Sequence, residues 1–515
     1  MHNGQEFSNL IYEYFVMRIR FQYYQCGDPL PTIETLCREF NVSSLTVKAA
    51  LKRLRSEGYI SMRSGQVTTV IFNQDTQALA ERINGFIGSR WHAFADLYQS
   101  AEQIFIPLFT RALCQMTNDD FNHLHRLSQQ PDADDLMRFY TFCLQKLNNP
   151  LMMNLLWETS IFQGFPFVRS HGTSELYDMA LTHNSLEAII AAGRSGDWPA
   201  VHDSFLTFQR VTVQKQLQYF GRNIPPVPDG HQETFVWHIY RERPQVCYDL
   251  AIQILHRNFM GDFSETHFLP SYEKMAGAWG VSVSTMRRTI AVLDQLGAAD
   301  TINGKGTYIY PLTEPGRKPD LSQPAIRRNL AYFMQALEII CFTMAAVLPG
   351  VLAAAAPQDL KSLKKQLQKH CTDGQDDLVL WQLLLFVVHN SPQHGVREIY
   401  RKLYGLFLWG YPIRQDLLAH EHDGRRCRAL ARAVVETFKA AEDARCVADA
   451  GASREAGSIS HMTEASREAE NARCVAAVVD LTAWEFAAAG DILLEHGLTP
   501  GKLRQNPSIH LLLDE

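Results

Sequence analysis

Apolar residues recur at i, i+3, i+4 and i+7 through most of this chain, the period of a helix with one buried face. Alternation at a period of two, the mark of a half-buried strand, is confined to a few short stretches. The clearest run opens at Leu30-Pro31-Thr32. Thr32 suits the N-cap of a helix ending at Phe40, Asn41-Val42 makes a tight turn, and Ser43 or Ser44 caps a second helix reaching Glu57. Along that second helix Val47, Ala50, Leu51 and Leu54 form one apolar stripe, while Lys48, Lys52 and Arg55 fall on another face. Gly58 stops the helix. Tyr59-Ile60-Ser61-Met62 and Val67-Thr68-Thr69-Val70 then read as two strands around Arg63-Ser64-Gly65-Gln66. The order is a helix-turn-helix followed by a β-hairpin wing, whose second helix fits a major groove.

The pattern returns 239 residues later. Leu269-Pro270-Ser271 answers Leu30-Pro31-Thr32, and Trp279-Gly280-Val281-Ser282-Val283-Ser284-Thr285-Met286-Arg287 answers Phe40 to Lys48, without a gap (269 − 30 and 287 − 48). Repeats of a solenoid are far shorter, so the spacing implies two copies of a whole module. The helical stretches repeat too. Asp134-Asp135-Leu136 to Asn148-Asn149-Pro150 is echoed by Asp376-Asp377-Leu378 to Asn390-Ser391-Pro392, and Gly164-Phe165-Pro166 by Gly410-Tyr411-Pro412. The expected fold is therefore mainly α, with two winged helix-turn-helix domains, each with a small β-hairpin wing, alternating with two antiparallel helix-bundle domains. Their expected limits are 1–75 and 231–312 for the winged units, and 76–222 and 321–515 for the bundles. Turn-rich segments around 223–230 and 311–320 separate the blocks. A local duplication, Ala444 to Ala448 against Ala472 to Ala476, marks an expected insertion near 449–471 in the last bundle.

Composition narrows the picture. At 515 residues, 46% hydrophobic and 20% charged, the chain is globular and long enough for three or four domains. The net charge of −6 means that any nucleic-acid surface is a local patch. Ten scattered cysteines form no C-x-x-C pair, which argues against a zinc ribbon or disulfide framework and fits a reducing cytoplasm. Met1 to Glu6 lacks the basic start and apolar run of a signal peptide. Ile339 to Ala356 carries no charge, but Pro349-Gly350 interrupts it, so a buried core helix is expected in place of a membrane span. No hydrolase elbow, Walker loop, H-E-x-x-H motif or paired carboxylates point to catalysis.

Val42-Ser43-Ser44-Leu45-Thr46-Val47-Lys48-Ala49-Ala50-Leu51 resembles the core of the winged helix-turn-helix of GntR-family bacterial transcription regulators. Val281 to Arg287 resembles the same core, and Gly304-Lys305-Gly306-Thr307-Tyr308-Ile309 the family's wing. The resemblance implies double-stranded DNA as partner. It gives as DNA-contacting residues Thr32, Ser43, Ser44, Thr46, Lys48, Lys52, Arg55, Arg63 and Gln66 in copy one. In copy two they are Ser271, Ser282, Ser284, Thr285, Arg287, Arg288, Lys305 and Thr307. Departures are present: Glu34 and Glu273, and Ser44 and Val283, stand where the family usually has arginines. Copy two also replaces Lys52 and Arg55 by Ala291 and Asp294.

The helical blocks resemble the FCD-type effector domain, through Ala336-Leu337-Glu338 with Pro357 to Leu360, Phe139-Tyr140 with Asn149-Pro150-Leu151, and His183 to Ile189 with Gly196-Asp197. Many such domains hold a metal by one Asp and three His. Here the matching positions are Leu136, Tyr140, His183 and Phe208, with Leu378 and Gln382 at the first two positions of the second block, so neither metal nor other cofactor is expected. His123-Leu124-His125 reads as a solvated helix face. A small-molecule effector is expected in a bundle interior, with Arg138, Tyr140, Arg169, His183 and Arg414 as anchors; a buried Arg favours an organic acid. The leading function is a transcription regulator acting as a single-chain pseudo-dimer, with a homodimer as the alternative assembly and no membrane partner. The other reading is a ligand-sensing or scaffolding protein that has lost DNA binding.

Overall fold

The computed structural model describes residues 3–498 except 64, 130–132, 165–177, 240–245, 313, 315, 420 and 453–458. Side chains of 3–6, 133, 229, 415, 418–423 and 440–467 are likewise not described. The described residues fall into two compact units, one holding those of 1–242 with 393–398, the other those of 243–392 with 399–498.

The first unit opens with α1 (Asn3–Arg20), then α2 (Ile33–Phe40), α3 (Ser44–Ser56) and an antiparallel pair, β1 (Ile60–Ser61) and β2 (Thr69–Val70). Thr32 caps α2 by accepting from the Thr35 amide, and Ser43 caps α3 by accepting from the Thr46 amide, as their residue types favour. The turn between them needs a left-handed residue, and Asn41 supplies it at φ 51°. The stripe Val47, Ala50, Leu51 and Leu54 is buried, together with Leu10, Ile11 and Phe15 of α1. The strands are shorter than the expected 59–62 and 67–70, because Val67 and Thr68 at the hairpin tip stand outside the paired ladder.

Among the described residues seven α-helices follow: α4 (Thr76–Gly88), α5 (Trp91–Leu113), α6 (Asn118–Ser128), α7 (Ala133–Lys146), α8 (Pro150–Gln163), α9 (Met179–Ser195) and α10 (Trp198–Asn223). Residues 231–239 also belong to this unit, although the turn-rich 223–230 stretch suggested that a new domain begins there. The reason is burial: Trp237 is fully enclosed and its Nε1 donates to Asn154 Oδ1 at 2.7 Å.

The second unit begins with α11 (Val246–Met260), α12 (Tyr272–Trp279), α13 (Val283–Gln295) and the antiparallel pair β3 (Ala299–Ile302) and β4 (Gly306–Ile309). Ser271 and Ser282 cap the two short helices, and Gly280 takes the left-handed turn at φ 63°. Both bounds of α12 and of α13 lie 239 positions beyond those of α2 and α3 (272 − 33 and 295 − 56). The pairings Ile60↔Val70 and Ala299↔Ile309 share that offset.

Its helical part comprises α14 (Pro324–Ala354), α15 (Pro357–Thr372), α16 (Leu378–Asn390), residues 399–407 of α17 (His394–Phe407), α18 (Arg414–Ala419), α19 (Glu421–Ala452) and α20 (Ile459–Glu495). Pro349 does not interrupt α14, which continues to Ala354. A proline inside a helix costs ~3 kcal/mol. Val347, Leu348, Val351 and Leu352 are buried around it, and their burial outweighs that penalty. By length and composition α14 could cross a membrane, but most of its apolar stretch is buried within the unit. The expected 449–471 insertion covers the end of α19 and the first turns of α20; residues 453–458 and the side chains of 449–467 lie outside the described residues.

A buried acid sits in this second unit. Glu485 is pushed up to about 8 by burial and then by the neighbouring Asp377 carboxylate. An acid whose folded pKa exceeds its unfolded value stabilises most at low pH, below about 4.5. That contribution is lost as pH rises through about 8. Chemical denaturation at pH 5 and pH 9 should therefore show the parent chain losing on the order of a few kcal/mol more than Glu485→Gln across the same interval. Equal losses in the two proteins would show that this acid does not govern the pH response.

Candidate nucleic-acid interface

Along α3 the outward face presents Ser44, Leu45, Lys48, Ala49, Lys52 and Arg55, all exposed. Leu45 is 66% exposed, an unusual position for a leucine on a folded surface. Lys48, Lys52 and Arg55 make no ion pair among the described residues. The fourth basic residue of the helix is engaged otherwise. Arg53 Nε meets Glu57 Oε1 at 3.0 Å, Arg53 Nη1 donates to Asn9 Oδ1 at 3.1 Å, and its guanidinium lies 3.7 Å from the centre of the Tyr12 ring. Tyr12 also bonds Glu57. Burial and the Glu57 hydrogen bond push Tyr12 up to about 12, so this clamp from α1 stays protonated around neutrality and fixes the end of α3. The sequence reading missed it. Its signal is Asn9 and Tyr12 on one face of an aromatic-rich first helix.

Arg63 and Gln66 are exposed in the wing, as is Val67 at 66%. Ser43 and Thr32 are exposed but their oxygens serve as helix caps. Thr46, expected at the DNA, is buried with its hydroxyl 3.0 Å from Ser43 Oγ, so it packs the start of α3 and does not face outward.

In the second unit Ser271, Ser282, Ser284, Arg287, Arg288 and Lys305 are exposed, and Thr285 is half-buried. Ser282 Oγ lies 2.8 Å from Ser284 Oγ and 2.9 Å from Thr285 Oγ1, a hydroxyl cluster at the helix start. Thr307 of β4, also expected at the DNA, is buried on the inner side of its strand with Tyr272 Oη 3.4 Å from its hydroxyl. Asp294 pairs with Arg317 at 2.9 Å. α13 as a whole is thus weaker in positive charge than α3: two arginines and one aspartate against four basic residues and no acid.

The first winged unit is tied to its helical neighbours by α7 and α8. Arg18 of α1 is buried, pairs with Asp134 of α7, and lies 3.7 Å from the Tyr23 ring centre. Tyr23 Oη donates to the same Asp134 at 2.5 Å. Arg138 of α7, expected as an effector anchor, instead reaches Glu39 of α2 at 3.2 Å and Asp135 at 2.9 Å. Phe40 of α2 stacks on Trp157 of α8 with centroids 4.5 Å apart and 27° between planes.

Other residues of α7 and α8, with α5 and α10, line a half-open cavity of about 150 Å3. Leu136, Tyr140 and Phe208, three of the positions matched to metal ligands, line it. None of the three can hold a metal as a neutral imidazole or carboxylate would. His183 is not in its wall; His183 Nδ1 lies 2.6 Å from the Ser128 carbonyl oxygen. Arg414 belongs to the second unit and is neutralised by Asp377. Arg169 lies outside the described residues. Of the expected effector anchors, the cavity therefore contains Tyr140. Sequence reasoning missed Gln209, Thr212, Val213 and Gln216, whose helical spacing on one side of α10 was the available signal.

Residues 7–70 match the family described as "Bacterial regulatory proteins, gntR family". This segment, α1 through β2, is a GntR-family DNA-binding helix-turn-helix domain, the part by which a transcription regulator holds DNA. Among solved structures the chain is similar to E. coli McbR/YncC, at 16% identity over 42% of this chain and 98% of that one, with a TM-score of 0.23. It is also similar to Streptococcus agalactiae GntR, at 17% identity over 40% of this chain and 99% of that one, with a TM-score of 0.19. No curated protein matches the chain.

Proposed function

We propose that the chain is a transcription regulator with two winged helix-turn-helix units, each followed by a helical block of FCD type, and that it works as a single-chain pseudo-dimer on two unlike half-sites. The observation that carries DNA binding is the exposed row Lys48, Lys52 and Arg55 on the second helix of the GntR-family domain. Support for a second reading unit comes from the shared 239-residue offset of helices, caps and strand register. In this reading Ser44, Lys48, Lys52, Arg55, Arg63 and Gln66 form the stronger grip, and Ser284, Arg287, Arg288 and Lys305 the weaker one. The capped helix starts at Thr32, Ser43, Ser271 and Ser282 offer backbone N–H groups to phosphates. Thr46 and Thr307 serve packing only.

The helical block of the first unit is the sensor. A guest in its cavity bears on α7 and α8, other residues of which hold α1 and α2, and so favours one placement of the reading helix among those already populated. Random duplex DNA should shift in a gel at micromolar protein in low salt, and the shift should fade steeply as salt rises. A chain that leaves such DNA unshifted at low salt is not a DNA-binding regulator.

A further inference from the structure

We infer that the effector of the first unit is a small, uncharged aromatic molecule of one or two fused rings carrying a single hydroxyl or N–H, bound in the cavity between α5, α7, α8 and α10. The inference rests on the sensor role proposed above and names its ligand. Size is the first constraint. A space of about 150 Å3 corresponds to the cavity that holds benzene in an engineered apolar core. Charge is the second. The described wall contains no Asp, Glu, Lys, Arg or His. A carboxylate entering it would lose part of its water and meet no cation among the described lining residues, which is unfavourable. Arg138 and Arg414, two of the three arginines expected to suit an organic acid, are already paired elsewhere; the third, Arg169, lies outside the described residues.

Shape is the third constraint. Phe109 of the wall stacks on Tyr140 with centroids 4.8 Å apart and 16° between planes, and on Phe105 at 6.0 Å and 23°. These stacked rings make part of the wall aromatic, a lining that suits an aromatic guest through offset or edge-to-face contact. Polarity is the fourth. Most polar groups of the wall are already satisfied: Tyr98 Oη donates to Gln216 Oε1 at 2.6 Å, Gln209 Nε2 donates to the Tyr98 carbonyl at 2.8 Å, and the Thr159 and Ser160 hydroxyls donate to carbonyls of their own helix. Thr212 Oγ1 is buried and has no partner. A hydroxyl in that state is destabilising until something bonds it, and one polar hydrogen on the guest supplies the bond.

The test uses the full chain, with phenol and indole as probes, benzoate as the charged control and toluene as the apolar control, read by titration calorimetry. Phenol or indole should bind at one site per chain, at least tenfold tighter than benzoate. Thr212→Val keeps the shape of the side chain and should weaken phenol about tenfold, the loss of one hydrogen bond, while changing toluene less than about twofold. Ala101→Leu fills the cavity and should abolish binding of all aromatic probes, with circular dichroism confirming that the helices remain. Benzoate binding as tightly as phenol, or binding untouched by Ala101→Leu, would overturn the inference, as would no aromatic binding at all. Gel shift of DNA by the same preparation reports separately on the regulator reading, so a failure of one is not mistaken for a failure of the other.

Discussion

The Lys48→Ala, Lys52→Ala double variant should bind duplex DNA about fiftyfold more weakly than the parent at about 0.1 M salt, and the slope of log affinity against log salt should become shallower by about 2. Each phosphate contact releases about one counterion, so two lost contacts change both the affinity and its salt dependence in linked amounts. The stripe carries this effect because both side chains are exposed and neither has an ion-pair partner among the described residues. The Arg287→Ala, Arg288→Ala variant should lose less, since α13 also carries Asp294 and begins with fewer cations. Fluorescence anisotropy with a labelled duplex at four salt concentrations measures both quantities. A slope unchanged by the double lysine variant would remove α3 from the DNA.

Phe40→Ala should destabilise the first unit by about 3–5 kcal/mol, the usual cost of emptying a large aromatic site in a core. Phe40 is 1% exposed, stacks on Trp157 and meets Tyr14 edge-on at 5.2 Å. Its removal leaves a hole where α1, α2 and α8 meet. Urea titration followed by circular dichroism gives the loss, and Phe40→Leu should recover more than half of it by refilling most of the volume. A loss below about 1 kcal/mol would mean that the site collapses and that α8 does not support the reading helix. If the stack also transmits the guest's presence, Phe40→Leu should keep the gel shift and reduce its response to phenol.

Local chemistry was the most legible part of this chain. The capping hydroxyls, the left-handed Asn41 and Gly280, and the apolar stripe of α3 each act over a few residues, so the sequence placed both short helices and their turn to within a residue or two. What distance in sequence hides was harder. Arg138 reads as a free cation until Glu39, 99 positions away, is folded against it. Thr46 and Thr307 look like exposed hydroxyls because their types are polar; packing at the helix start and on the inner side of β4 decides otherwise. Pro349 reads as a stop because its ring removes a backbone donor, yet the surrounding apolar burial carries α14 past it. The cavity was invisible for the same reason: sixteen residues from four helices compose it, and no single stretch announces it.

In the proposed reading, the walls of that cavity have two separate roles. Side chains of α5 and α10 that face the space, such as Ala101, Thr212 and Val213, can be exchanged to admit a different molecule. Those of α7 and α8 that meet the reading unit, Asp134, Arg138 and Trp157, can stay as they are. If the proposed sensor role holds, a biosensor for a new aromatic compound could be built on this scaffold by redrawing two helices and keeping the contacts to α1 and α2.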